Sequence, residues 1–295
     1  MSTDTTRTPT MIITGASAGI GAALAREYAS RGWNIVATAR RAGKLEALKA
    51  EIEAAHGVRV HTVSADLMEP GAVDAILADV DASGLTVDGL INNAGYGHPG
   101  TYLDSTWEEH ARFNHLMTVV PAEFTHKVLG GMVERGFGRI MQVASLAGHM
   151  PGSNGHTLYA AVKAYLIKFS ESLNAEMEGT GVHVSALCPG FTITEFHDVN
   201  GTREGINALP SIMKMSAEDC AREGTDALEA NRDVHITGGF NRFLARFNRT
   251  MPSAVGKRLM KRASSGYRNT DRDAMREATR KAAGGMAAHG TGEPS

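Results

Sequence analysis

Along the chain, short runs of β-branched and apolar residues alternate with longer stretches whose apolar positions recur at helical spacing. Met11 to Thr14, Asn34 to Thr38, Val58 to Val63, Asp88 to Asn92, Arg139 to Ala144, Val182 to Leu187 and Val234 to Thr237 read as strands. Most are apolar throughout, as expected for a sheet covered on both faces. Between them, Ile20 to Arg31, Lys44 to His56, Pro70 to Asp79, Thr106 to Arg135, Thr157 to Gly179 and Ala217 to Asn231 read as helices. Gly32, Gly57 and Gly181 fall where helices should stop. Such alternation implies a parallel sheet with right-handed crossovers, a doubly wound α/β fold of Rossmann type. No internal repeat is visible.

The same pattern divides the chain. Residues 1–9 form a polar, Thr-rich tail, residues 10–239 a single α/β domain, residues 240–281 a helical extension, and residues 282–295 a Gly- and Ala-rich end that reads as disordered. The extension is basic and amphipathic. Arg242, Arg246, Arg249, Lys257, Arg258, Lys261, Arg262 and Arg268 occur with no acid among them, interleaved with Phe240, Phe243, Leu244, Phe247, Leu259 and Met260. A helix packing its Phe face on the body is the plain expectation. A subunit contact, a cover over a pocket and a membrane-surface helix are the alternatives.

With 295 residues, 42% hydrophobic and 21% charged, the chain has the composition of a soluble globular protein, and a net charge of -2 gives no general attraction to nucleic acid. Only Cys188 and Cys220 are present, so no disulfide framework can form, and both read as small buried side chains. Neither a signal peptide nor an apolar run long enough to span a membrane is present, which points to the cytoplasm with no integral membrane association. Histidines are numerous, among them His98, His110, His115, His126, His149, His156 and His197, but none shows a metal-ligand motif with a carboxylate, so no metal is expected.

Candidate chemistry lies in an ordered set of motifs. Tyr159 and Lys163 stand four apart in Leu-Tyr-Ala-Ala-Val-Lys, on one helix face. A tyrosine with a pKa near roughly 10 is a poor base, and a nearby ammonium pulls that value down. The pair can then trade a proton with an alcohol or carbonyl oxygen. Alone, such a pair is as readily a surface contact. Upstream come Thr14-Gly15-Ala16-Ser17-Ala18-Gly19-Ile20-Gly21, Asp66, Asn92-Asn93-Ala94-Gly95, Asn114 and Ser145, and downstream Pro189-Gly190-x-x-x-Thr194. Gly15, Gly19 and Gly21 follow a strand and open a helix, where a bare backbone can approach a pyrophosphate.

Taken together, from about residue 10 to 238, this set resembles the classical short-chain dehydrogenase/reductase family. The resemblance implies an oxidoreductase in which Tyr159 is the acid and base, Ser145 orients the substrate oxygen, Lys163 lowers the Tyr159 pKa and binds the nicotinamide ribose, and Asn114 holds a water. It places the cofactor against Gly15, Ser17, Gly19, Ile20, Gly21, Asp66, Leu67, Asn93, Ala94, Gly95, Pro189, Gly190, Thr192 and Thr194. Where family members that prefer NAD carry an acid, this chain has Ala39, followed by Arg40. NADP(H) is therefore expected, with NAD(H) possible. Ala18 lacks the basic residue often found inside the turn. The usual Ser-Ser pair is Ala144-Ser145 here, and the stretch to Tyr159, through Gly148, Pro151, Gly152, Asn154 and Gly155, is one residue longer than typical; Ser153 lies too close to Tyr159 to replace Ser145.

Phe191, Phe196, Ile206, Leu209, Ile212, Met213 and Met215 fall where the family folds a lid, implying a hydrophobic ketone, aldehyde or alcohol. Each could equally pack on the body. The family habit is a homodimer or homotetramer. A cofactor sensor without turnover and a nucleotide-sugar epimerase are the alternatives; the intact tyrosine and lysine argue against the first, and the glycine spacing against the second.

Overall fold

The computed structural model describes residues 7–97, 101–152, 155, 157–192 and 213–250. Strands β1 (Thr10–Thr14), β2 (Asn34–Ala39), β3 (Val60–Ser64), β4 (Val87–Asn92), β5 (Gly138–Val143), β6 (Val182–Cys188) and β9 (Val234–Ile236) form one sheet in the order β3-β2-β1-β4-β5-β6-β9, every neighbouring pair parallel. Between β6 and β9, β7 (Phe191–Thr192) pairs with β8 (Lys214–Met215) in a separate ladder.

Successive side chains of a strand face opposite ways, so each central strand serves two cores. Met11 and Ile13 of β1 pack with Leu24 and Tyr28 of α1 (Gly19–Ser30), Leu45 of α2 (Ala42–His56) and Ala221 of α7 (Ala217–Glu229). Ile12 packs on the other face with Ile76 of α3 (Ala72–Ala82) and with Phe124 and Val128 of α5 (Val120–Arg135). The doubly wound α/β fold expected from the sequence is the one observed.

Element ends differ where local contacts outweigh pattern. β3 starts at Val60 because Asn34 Oδ1 accepts from the Arg59 N–H at 3.0 Å and Glu53 Oε1 from the Val60 N–H at 3.0 Å. Helix α3 waits for Gly71, whose φ of 76° is left-handed. The single helix expected over Thr106 to Arg135 is interrupted. Helix α4 (Trp107–Asn114), opened by a reciprocal Thr106 and Glu109 capping box, passes into a wide π turn at His115–Val119 before α5 begins with Pro121 in its first turn. Helix α6 (Thr157–Glu176) stops before Gly179. After β9 comes α8 (Gly239–Thr250), whose inner face carries buried Asn241 and Ala245. Phe243 and Phe247 point outward, contrary to the expectation that the Phe face would pack on the body.

The start of β1 is fixed by a buried carboxylate. Asp88 of β4, 1% exposed, accepts from both terminal nitrogens of Arg7 at 2.6 and 2.7 Å and from the Thr10 N–H at 3.0 Å. Asp88→Ala strands that N–H while Arg7 can turn to water, so the expected loss is about 2 kcal/mol of unfolding free energy. Urea titration would detect it, and a loss below about 0.5 kcal/mol would mean that water replaces the carboxylate at Thr10.

Candidate active site

The turn from β1 into α1 is drawn tight against the end of β4. Gly15 has φ of 67°, and a Cβ on Gly21 would overlap the Gly15 carbonyl oxygen, so both positions demand glycine. Thr14 Oγ1 accepts from the N–H groups of Asn93 and Ala94, each at 2.9 Å, and donates to Ile91 O at 3.3 Å. Asn93 Nδ2 donates back to Thr14 O at 2.9 Å and Gly15 O at 3.3 Å. Helix α1 opens at Ala18 and Gly19 with neither a side-chain cap nor an acid in its first turn, which leaves its N-terminal N–H groups suited to an anion.

Beside this turn, Arg41 donates to Ser17 Oγ through Nε at 3.1 Å and Nη2 at 2.9 Å. Arg40 is exposed at the end of β2. Asp66 Oδ1 accepts from the Met68 N–H at 3.0 Å, Leu67 is buried in the core, Ile20 packs against the other core, and Gly95 is open to solvent. A bare glycine turn, an uncapped helix start and two arginines fit the pyrophosphate and ribose end of a phosphorylated dinucleotide.

The second half of the site lies at the ends of β5 and β6. Ser145 follows β5, accepts from the Ala147 N–H at 3.1 Å and acts on the Tyr159 hydroxyl, whose ionised form it favours. Tyr159 and Lys163 share one face of α6, with the Lys163 nitrogen 5.7 Å from the tyrosine ring centroid. Lys163 is buried, and its ammonium donates to Val143 O at 2.7 Å. Burial sets the electrostatics: it depresses the Lys163 pKa from 10.5 to about 8 and raises that of Tyr159, with the Ser145 hydrogen bond opposing the rise. The lowering expected from lysine is therefore not met by the protein alone: desolvation outweighs the opposing contribution, which comes from Ser145. Cys188, just behind, is pushed up to about 12 by burial.

Leu146 N donates to Pro189 O at 2.9 Å, tying the serine turn to Pro189-Gly190. Asn241 of α8 fills the space that a Cβ on Gly190 would need. Thr192 is buried next to the Cys220 thiol. Asn114 ends α4 at the π turn, where its carbonyl accepts from Thr118 Oγ1 at 2.7 Å. Thr194 lies outside the described residues, as do His98, Ser153, Asn154, His156, Phe196, His197, Ile206, Leu209 and Ile212. Of the remaining lid positions, Met215 packs against the core, and Phe191 and Met213 are half-buried. Among the described residues no group of three or more His, Cys, Asp or Glu could hold a metal ion.

Sequence reasoning missed Thr14, Arg41, the Val143 carbonyl and Asn241. Arg41 was visible as half of an Arg-Arg pair; a backbone carbonyl carries no sequence signal. The buried amine makes a direct prediction. A ¹³C-methylene titration of Lys163 should show a midpoint near 8, well below the 10.5 of an exposed lysine. Between these values the folded protein releases a proton that the unfolded chain keeps, so stability should rise with pH across that window. A midpoint near 10.5 would mean that water reaches the amine.

The fold and this constellation define a dinucleotide-dependent oxidoreductase, and comparison with known proteins identifies the family. The short chain dehydrogenase family model matches residues 9–204. Sulfoacetaldehyde reductase of Chromohalobacter salexigens is 35% identical over 224 residues, covering 73% of this chain and 86% of that protein. Among solved structures, a short-chain dehydrogenase from Sphingobium yanoikuyae in complex with NADPH superposes with a TM-score of 0.72 at 30% identity, covering 82% of this chain and 93% of that one. The bulky-bulky ketone specific alcohol dehydrogenase of Comamonas testosteroni superposes with a TM-score of 0.69 at 27% identity, covering 83% and 93%. The chain belongs to the short-chain dehydrogenase family and is an oxidoreductase of that class.

Proposed function

We propose that this enzyme interconverts a hydrophobic ketone or aldehyde and its alcohol using NADP(H). The observation that carries the reading is the Tyr159 and Lys163 pair on one face of α6, with the lysine amine buried against the Val143 carbonyl and Ser145 acting on the tyrosine hydroxyl. A nicotinamide, when bound, supplies or accepts the hydride. Ser145 orients the substrate oxygen, and Tyr159, held protonated at neutral pH by its burial, donates a proton to that oxygen in the reducing direction. Lys163 would hold the cofactor ribose and can return a proton to the tyrosine, and Asn114 would hold a water beside it. Gly15, Ser17, Gly19, Ile20, Gly21, Asp66, Leu67, Asn93, Ala94, Gly95, Pro189, Gly190, Thr192 and Thr194 line the cofactor.

NADP(H) is favoured over NAD(H) by Ala39, Arg40 and the Arg41 guanidinium poised on Ser17, and by the NADPH complex of the Sphingobium relative. The hydrophobic substrate is supported by the Comamonas enzyme, named for bulky ketones, whereas the Chromohalobacter relative is named for sulfoacetaldehyde. Purified protein should quench or shift NADPH fluorescence at lower concentrations than NADH and oxidise NADPH with a hydrophobic ketone. Tyr159→Phe should lower kcat by at least about a hundredfold, the scale of general acid catalysis, and leave NADPH affinity unchanged. Wild-type turnover in that variant, or no binding of either cofactor, would overturn the reading.

The enzyme acts in the cytoplasm and as a homodimer or homotetramer. Val119 and Tyr165, 50% and 41% exposed, flank an open apolar hollow of about 510 Å³ between α5 and α6, where a second copy would bury them. Light scattering should show an oligomer that Val119→Glu dissociates. A monomeric wild type would refute this.

A further inference from the structure

We propose that α8 docks the enzyme on an anionic lipid surface. Phe243 and Phe247, 64% and 50% exposed, are spaced i and i+4 on one face and stack with centroids 6.1 Å apart and planes at 13°. The opposite face of the helix is already used. Asn241 donates to Thr237 O at 2.9 Å, Ala245 is buried, and Asn248 Nδ2 lies 3.2 Å from Met150 Sδ. The two rings are therefore held outward by the fold and cannot rotate inward without undocking the helix.

Charge selects the occupant. Residues 239–270 hold eight of the chain's 30 Lys and Arg and none of its 32 Asp and Glu, so a segment of net +8 is joined to a remainder of net -10. Arg246 is exposed beside the rings, and Arg242, 45% exposed, also reaches Glu223 at 3.1 Å. Aromatic side chains flanked by arginine are the pattern of a helix lying in the headgroup region, where the rings enter the acyl boundary and the guanidinium groups meet phosphates. Single-stranded nucleic acid would need open ring faces for stacking, and here the rings turn one face toward each other. No helix among the described residues is long and apolar enough to cross a membrane, so the contact is peripheral. Because α8 rests on Gly190 and Met150, docking would place the substrate side of the catalytic turn next to the bilayer.

The test is co-sedimentation of the full chain with vesicles of phosphatidylcholine containing about 30% phosphatidylglycerol, against phosphatidylcholine alone. The expected result is binding to the anionic vesicles only, weakened steeply by salt and reduced at least about tenfold in Phe243→Ala/Phe247→Ala and in Arg246→Glu. Both phenylalanines are exposed, so thermal melting of the double variant should match wild type. No sedimentation, or equal sedimentation of the double variant, overturns the proposal. So does a lower mass in light scattering for the double variant without vesicle binding, which assigns the rings to a second copy. Retention on a single-stranded oligonucleotide without vesicle binding assigns the segment to nucleic acid instead.

Discussion

At the centre of the molecule the chain passes closer to itself than any side chain would allow. The Gly15 carbonyl, the α carbon of Gly21 and the Asn93 amide occupy one small volume, and the Thr14 hydroxyl bonds three backbone groups of β4 and the residues after it. This junction sits where the sheet order reverses, between β1 and β4, the place at which open α/β sheets bind their ligands. The helix start follows directly from it, and Arg41 reaches it through Ser17. A side chain at either glycine would push the helix away from the sheet and separate the anion-binding half of the site from the proton-transfer half.

In the second half, the governing effect is loss of water rather than attraction between charges. Lys163 is so far inside that its ammonium relies on the Val143 carbonyl, and Tyr159 is stabilised as a neutral phenol by the same burial. Burial thus shifts both groups toward their uncharged forms, the tyrosine further from ionising and the lysine closer to losing its proton, and any charge introduced beside them is felt strongly because little solvent screens it. The π turn after Asn114 belongs to the same region. It widens the helix where α4 meets α5, and the Asn114 carbonyl at its start accepts from the Thr118 hydroxyl.

Most of the architecture was legible because strand and helix periods differ and seven apolar runs are separated by helix-length stretches. What escaped was decided by side-chain contacts that periodicity does not record. The π turn preserves an apolar period close to that of an α-helix, so Thr106 to Arg135 reads as one element, and even Pro121 is admissible in a first helical turn. Gly71, left-handed, starts α3 two residues later than the pattern from Pro70 implies. For the site, the glycine turn and the Tyr159 and Lys163 pair are legible from spacing and Ser145 from the family resemblance; the turn follows β1, Ser145 follows β5, and Lys163 bonds the last carbonyl of β5. The sign of the tyrosine shift was not legible, because burial depends on the walls around a residue and not on its neighbour four positions along. The outward turn of Phe243 and Phe247 was hidden for a similar reason: Asn241, a polar residue, takes the inner face by filling the space over Gly190.

Because β1 lies between β2 and β4, the first strand made is completed late. Its hydrogen bonds through Thr14 and Arg7 reach partners 77 to 81 residues further along the chain. On a ribosome, β1, α1, β2 and α2 emerge with one flank of the central strand unpaired, and that flank is apolar. Closing it requires a long loop to form before its contacts repay the lost freedom, which slows folding and leaves an open strand edge meanwhile. The same strand order that puts the cofactor end of the sheet between β1 and β4 therefore leaves β1 half-paired during synthesis, with one edge open to another strand until β4 arrives.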